Sequence, residues 1–232
     1  MKIAVINPNS TQSMTDKIAA SARAVAGHGV EIEGRTGHGA PASIEGHHDE
    51  VMCAPHLLRE VREAVEGGAD AIVVACFDDP AIGACREIST GPVIGICEAG
   101  VKAASMIATS FSVVTTLPRS VPVIEELVRR YGLEHQCRKV RSAEIPVLAL
   151  EEEGSNAAAL VQAEITRAIA EDKCEAIVLG CAGMADLAQE LSRKNGLPVI
   201  DGVAIATKMA EALVGAGLTT SKIGAYAAPL VK

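Results

Sequence analysis

The chain repeats itself, and that duplication limits its fold more than any other feature. ADAIVVACFDDPAI, beginning at Ala69, is matched later by CEAIVLGCAGMADL, beginning at Cys174. Each segment is followed, 16 or 17 residues after its cysteine, by a proline that opens PVIG or PVID. KIAVINPNS near the start and FSVVTTLPRS from Phe111 also fall at equivalent places. Short apolar runs without polar alternation belong to strands covered on both faces, the pattern of parallel sheets. Helical spacing intervenes over 12–26 (with Ser10 or Thr11 as cap), 54–66, 98–108, 118–131, 157–170, 187–194 and 203–215. Weaker strands are predicted at 30–33 and 140–145, and a last one at 223–226 returning to the first lobe. The expected architecture is α/β, with two pseudo-symmetric Rossmann-like lobes, each a short parallel sheet flanked by helices. Residues 1–105 plus 210–232 form the first lobe and 106–209 the second, with the site in the cleft between sheet carboxyl ends.

Composition narrows the function class. Only 2% of residues are aromatic and none is Trp, so the core is built from Ala, Val, Ile and Leu. A net charge of −8 with no basic stripe argues against nucleic acid as a partner. The longest apolar region, 93–114, is interrupted by Glu98 and Lys102, so no membrane span is expected. The opening MKIAVINPNS enters a strand at once and lacks signal-peptide character. Seven cysteines, an odd number without regular close spacing, fit reduced thiols in a cytoplasm better than a disulfide framework.

Taken alone, Cys76 or Cys181 would read as a small core residue ending an apolar strand. The repeat changes that, because both stand at the same place in the two halves. Each lies at a strand-to-helix turn, where outward backbone N–H groups favour a thiolate. Cys53, Cys85, Cys97, Cys137 and Cys174 have no such pairing. Inverting a stereocentre needs a proton removed from one face and another delivered to the opposite face. A thiolate and a thiol from facing lobes do both, once ordinary cysteine acidity is brought into neutral range. A redox pair is the competing use, and it would more often carry CxxC, which is absent.

NPNS at 7–10, PASIEG at 41–46, ACFDDP at 75–80 and LGCAGM at 179–184 together resemble the hydantoin racemase and allantoin racemase family. That family lies within the wider aspartate/glutamate racemase superfamily, and the resemblance covers essentially the whole chain. It implies two pseudo-symmetric lobes, no cofactor, no metal, and Cys76 and Cys181 as the two bases. The implied substrates are small molecules, 5-monosubstituted hydantoins or allantoin, and the implied assembly is a homo-oligomer. The superfamily's amino-acid racemases resemble CNT at the first cysteine and GCT at the second. Here the residues are Cys76-Phe77-Asp78 and Gly180-Cys181-Ala182, which favours a neutral cyclic imide over a free amino acid. Superfamily decarboxylases resemble the pattern with one active cysteine, so two count against that activity. A two-lobed binding protein would have no reason for matched cysteines.

The remaining pocket is expected at the strand ends. Backbone amides at Asn9 and Ser10 either hold a ring carbonyl or merely cap the first helix. Thr115 and Thr116 hold the equivalent position in the second lobe, with the same two readings. Phe77, Gly183 and Met184 follow the cysteines and are candidates to pack on or bond the ring, and Ile44 to meet its substituent. Asp78 and Asp79 invite a catalytic role, but a charge beside Cys76 would oppose its ionisation. Asp79-Pro80 reads as a strand end and helix start. His47, His48, Asp49 and His56 lack HxxxH or HExxH spacing and read as a solvated loop. Nucleotide cofactors have no support, since neither GxxxxGK[ST] nor a strand-linked GxGxxG occurs. Glu151-Glu152-Glu153 reads as a solvated loop or helix start.

Overall fold

The computed structural model describes residues 1–152 and 154–230. Two four-stranded parallel sheets share one topology. The first runs β2 (Glu31–Thr36), β1 (Lys2–Asn7), β3 (Ala71–Val74), β4 (Val93–Gly95). The second runs β6 (Cys137–Ser142), β5 (Phe111–Thr115), β7 (Ala176–Leu179), β8 (Val199–Asp201). Eight helices cover them among the described residues: α1 (Gln12–Val25), α2 (His47–Glu66), α3 (Ile82–Ile88) and α4 (Ile96–Ile107), then α5 (Val121–Arg130), α6 (Ala157–Asp172), α7 (Ala188–Asn195) and α8 (Gly202–Gly215). The repeated motifs fall on equivalent elements in both halves.

Strand parity sorts the core into layers. Ile3, Val5 and Val73 face inward and join Phe111, Val113 and Val178 in one cluster that spans both halves. Ala4, Ile6, Ile72 and Val74 face outward onto α2 and α3. Val114, Ile177 and Leu179 do the same toward α6 and α7. The shared inner layer contains α4 packed on α8, and each helix also reaches the other half. α4 touches β7 and β8, while α8 touches α1, β3 and β4. Gly202 permits this crossing, since a Cβ there would lie 2.4 Å from the Ile96 carbonyl oxygen.

Several sequence expectations change. α2 starts at His47 and not at residue 54, so His47, His48 and Asp49 form its first turn instead of a loop. Pro55 lies inside this helix, and its usual position near a helix start hides the two preceding turns. The edge strands β2 and β6 extend over polar residues with little apolar signal. Segment 223–226 forms no strand: it holds a 3-10 turn, Gly224–Tyr226, and leaves Ile223 90% exposed. Thr11 caps α1 by position only, because its hydroxyl donates to the Ala42 carbonyl at 2.7 Å. Glu151 and Glu152 lie in a turn before α6, and Glu153 lies outside the described residues.

Candidate active site

Equivalent registers deliver the two cysteines to one place. β1 pairs with β3 through Ile6 and Val74, and β5 with β7 through Val114 and Leu179. One step on, the Ala75 amide donates to the Ile6 carbonyl and the Gly180 amide to the Val114 carbonyl, both at 2.8 Å. Cys76 and Cys181 follow immediately, past the carboxyl ends of the central strands. Gly180 is needed here, because a Cβ would sit 2.8 Å from the Thr115 Cβ. Both thiols are half-buried and line one cleft of about 400 Å³, its mouth included.

The turns after the cysteines are alike in one respect. The Asp78 amide near Cys76 and the Gly183 amide near Cys181 each act to lower the thiol's pKa. Each amide stands two residues beyond its cysteine. The acidity expected from these amides is outweighed by burial, which is the larger effect on both thiols. Burial pushes Cys76 well above the usual thiol range, helped by the nearby Asp78 charge. It pushes Cys181 up to about 11. In the first half α3 begins only at Ile82, so Cys76 does not stand at its first turn. Both groups therefore rest as thiols.

Of the other expected residues, Asn9, Ile44, Phe77, Thr115 and Thr116 line the cleft. The Asn9 side chain accepts from Asn7 and the Thr11 amide, and its own N–H₂ faces only the Met14 sulfur at 3.1 Å. A thioether is a weak acceptor, so that donor is open to exchange for a better one. Thr115 Oγ1 donates to the Gly180 carbonyl at 2.9 Å. Ser10 is not in the lining: its amide donates to the Pro41 carbonyl at 3.0 Å and ties down the loop that carries Ile44. Gly183 and Met184 are also outside it. Gly183 serves the Cys181 thiol, and Met184 is fully buried in the outer core of the second half.

Residues the sequence did not single out complete the lining, notably Asn7, Met14, Ser120 and Val147. Asn7 is a polar residue ending an apolar strand, which is its signal in the sequence, and it donates to Asn9 and Thr15. Asp79 turns away from the cleft and accepts from the Cys97 and Glu98 amides and the Tyr131 hydroxyl. It caps α4 across a turn, as Asp201 caps α8. Asp78 does line the cleft, 6% exposed, with one carboxyl oxygen lacking any partner. Burial pushes it up to about 7, with Glu50 and Asp79 adding in the same direction. Among the described residues, no Lys, Arg or His lines the cleft. Two ties join the halves. Lys17 donates to the Leu150 carbonyl at 2.8 Å and pairs with Glu151 at 2.9 Å, and the Val147 amide reaches Glu45.

Known proteins resemble this chain over most of their length. The hydantoin racemase of Rhizobium meliloti is 54% identical across 100% of this chain and 96% of its own. That of Pseudomonas sp. (strain NS671) is 42% identical, covering 99% and 92%. The solved allantoin racemase from Klebsiella pneumoniae superposes with a TM-score of 0.99 at 47% identity, covering 100% and 95%. Glutamate racemase from Francisella tularensis, at 17% identity and TM-score 0.66 over 95% and 84%, shares the fold. The family model for Asp/Glu/hydantoin racemases matches residues 3–210, which takes in both duplicated sheets and both cleft cysteines. With duplicated sheets, paired thiols and these relatives in agreement, the chain belongs to the Asp/Glu/hydantoin racemase family.

Proposed function

We propose that this protein is a cofactor-independent racemase of 5-monosubstituted hydantoins, with Cys76 and Cys181 as its two bases. The observation that carries this reading is the cleft itself. Two thiols enter it from equivalent strand ends, and among the described residues no cationic side chain lines it. An amino acid's carboxylate would enter such a site unpaired, at a heavy desolvation cost. A hydantoin brings a neutral ring of carbonyls and N–H groups. The lining answers with the Asn9 amide and the hydroxyls of Thr115, Thr116 and Ser120.

In the reaction, one sulfur acts as thiolate and takes the proton from C5 of the ring. The electron pair moves into the neighbouring carbonyl as an enolate, which hydrogen-bond donors in the cleft stabilise. The other sulfur, a thiol, returns a proton to the opposite face. One C–H and one S–H bond break, and one of each forms. Mutual repulsion between Cys76 and Cys181 favours one thiolate and one thiol over two thiolates. The opposite enantiomer is served with the roles exchanged. Ile44 and Phe77, both buried at the cleft, are placed to meet the ring and its substituent.

Allantoin, a hydantoin with a ureido substituent, is the second reading, favoured by the close structural match to allantoin racemase. Incubating single enantiomers of 5-benzylhydantoin and allantoin in reducing buffer, without cofactor, tests both by decay of optical rotation. Persistent rotation with both substrates would overturn the function proposed. We also infer work in the cytoplasm as a homo-oligomer, with lobes at 1–105 plus 210–232 and at 106–209. Exposed Met106, Ile107, Ile223 and Leu230 supply apolar surface for such an assembly, which sedimentation would test.

A further inference from the structure

The two halves cap the helix after their fourth strand from different places. In the second, PVID ends in Asp201, which stands at the N-cap of α8 and accepts from the Val203 and Ala204 amides at 2.8 and 3.0 Å. In the first, the matching PVIG ends in Gly95, which has similar backbone angles (φ −83°, ψ 146° against −89°, 119°) but no side chain to cap α4. The carboxylate comes instead from Asp79, which accepts from the equivalent Cys97 and Glu98 amides at 3.1 and 2.9 Å. A Cβ at Gly95 would run into that carboxyl.

Asp79 belongs to the turn that carries Cys76. Its amide donates to the Cys76 carbonyl at 3.1 Å, as the Met184 amide donates to the Cys181 carbonyl at 3.1 Å. The turns match in backbone, but their third residues differ in use. Met184 fills the outer core of the second half. Asp79 reaches α4 and also accepts from the hydroxyl of Tyr131, just past α5, at 2.7 Å. The Cys76 turn needs such holding, because Asp79 (φ 43°) and Ala81 (φ 50°) lie in the left-handed region without being glycine. Residues of this kind persist only where surrounding contacts fix them.

We propose that Asp79 is a positioning residue for Cys76: a helix cap moved from position 95 into the cysteine's own turn, with Tyr131 tying it to the second half. Its part in the reaction rests on the racemase reading above. Asp79 is not in the cleft lining, and both its carboxyl oxygens are occupied by α4 and Tyr131. It therefore acts through the main chain and exchanges no proton with sulfur. Misplacing a reacting group by about 1 Å can cost about 10²-fold in rate, so anchoring this turn to a helix of the inner layer serves catalysis directly. It also accounts for Gly95, whose missing side chain leaves the space that the Asp79 carboxyl fills.

The test moves the cap back. Asp79→Gly is compared with the double variant Asp79→Gly, Gly95→Asp, in which the new carboxyl falls where the old one stood and only its chain connection to Cys76 is lost. Three quantities are measured: Tm, kcat and KM for one enantiomer of 5-benzylhydantoin, and the iodoacetamide alkylation rates of Cys76 and Cys181 by peptide mass. Asp79→Gly should lower Tm by about 3 °C, the loss of one cap. It should lower kcat by about tenfold or more with KM little changed. The freed Cys76 should alkylate faster relative to Cys181, by about threefold. The double variant should regain Tm while kcat and the alkylation ratio stay altered. Recovery of kcat and the ratio together with Tm would reduce Asp79 to a helix cap and overturn the proposal. Should the double variant not regain Tm, Tyr131→Phe decides: a lower kcat and a raised Cys76 ratio are expected, and no change in either overturns the proposal. Absence of racemisation by wild type would overturn the racemase reading instead, and the alkylation ratios would still decide whether Asp79 holds Cys76 in place.

Discussion

Gly202→Ala is expected to destabilise the protein although alanine is the better helix former. In α8, the exchange should gain about 0.5–1 kcal/mol from propensity and reduced unfolded-state entropy. Against this stands the crossing of α4 and α8. The new Cβ would lie 2.4 Å from the Ile96 carbonyl oxygen and 3.1 Å from its carbon, both backbone atoms that cannot rotate aside. Reaching the shortest tolerable separation of 3.0 Å requires an opening of 0.6 Å (3.0 − 2.4). That parts two helices which both sit in the shared core. Overpacking of this kind costs about 1–3 kcal/mol. With each kcal/mol worth about 2–4 °C in a domain this size, a fall of about 5 °C in Tm is expected. Gly215→Ala is the internal control, in the same helix but with nothing within 4 Å of the added carbon. It should hold or slightly raise Tm. Thermal unfolding by circular dichroism compares the two. An unchanged or raised Tm in Gly202→Ala would refute the close-contact argument.

Arg141 is 5% exposed and binds Asp172, Glu164 and Glu171 along the edge strand β6. Arg141→Met should cost about 3–5 kcal/mol in denaturant unfolding, because the two buried carboxylates lose their cation. Stability should also fall as pH rises from about 4 to about 7. Burial raises Asp78 and Asp79 to about 7 in the folded chain against 3.8 as the ordinary value, so the folded state binds more protons across that window. Asp78→Asn should flatten that slope in Tm, and an equal slope in the variant would discount Asp78 as its source. Below this window the sign reverses, because Asp172, held by Arg141, and Glu98, held by Lys102 and Arg86, lie below the usual carboxylate range and lose that contribution on protonation. Cys76→Ser and Cys181→Ser should each abolish racemisation with little change in Tm, measured by polarimetry and unfolding. A single variant that racemises near the normal rate would remove that sulfur from the reaction.

The duplicated sheets were legible in the sequence because β3, β4, β7 and β8 are short, apolar and repeated. The edge strands were not. EIEGRT and CRKVRS carry charges whose partners, Glu60 for Arg35 and Asp172 for Arg141, come from distant helices. Pro55 concealed the first two turns of α2, and an exposed Ile223 imitated a strand. At the site, the repeat was enough to pair Cys76 with Cys181. Their weakened acidity was not visible, because local amides speak for a thiolate while burial, which outweighs them, is tertiary. Asp78 and Asp79 are adjacent in sequence and part in space, one facing the cleft and the other capping α4. No local pattern separates them.

The most direct test of two facing bases is the fate of the C5 hydrogen in heavy water. A single enantiomer of 5-benzylhydantoin is converted partway, and both enantiomers are recovered and analysed by mass. The account requires the inverted product to carry a solvent deuteron from the second thiol, while recovered starting enantiomer keeps its proton early in the reaction. Inverted product that retains the original proton, or equal early labelling of both enantiomers, would contradict it.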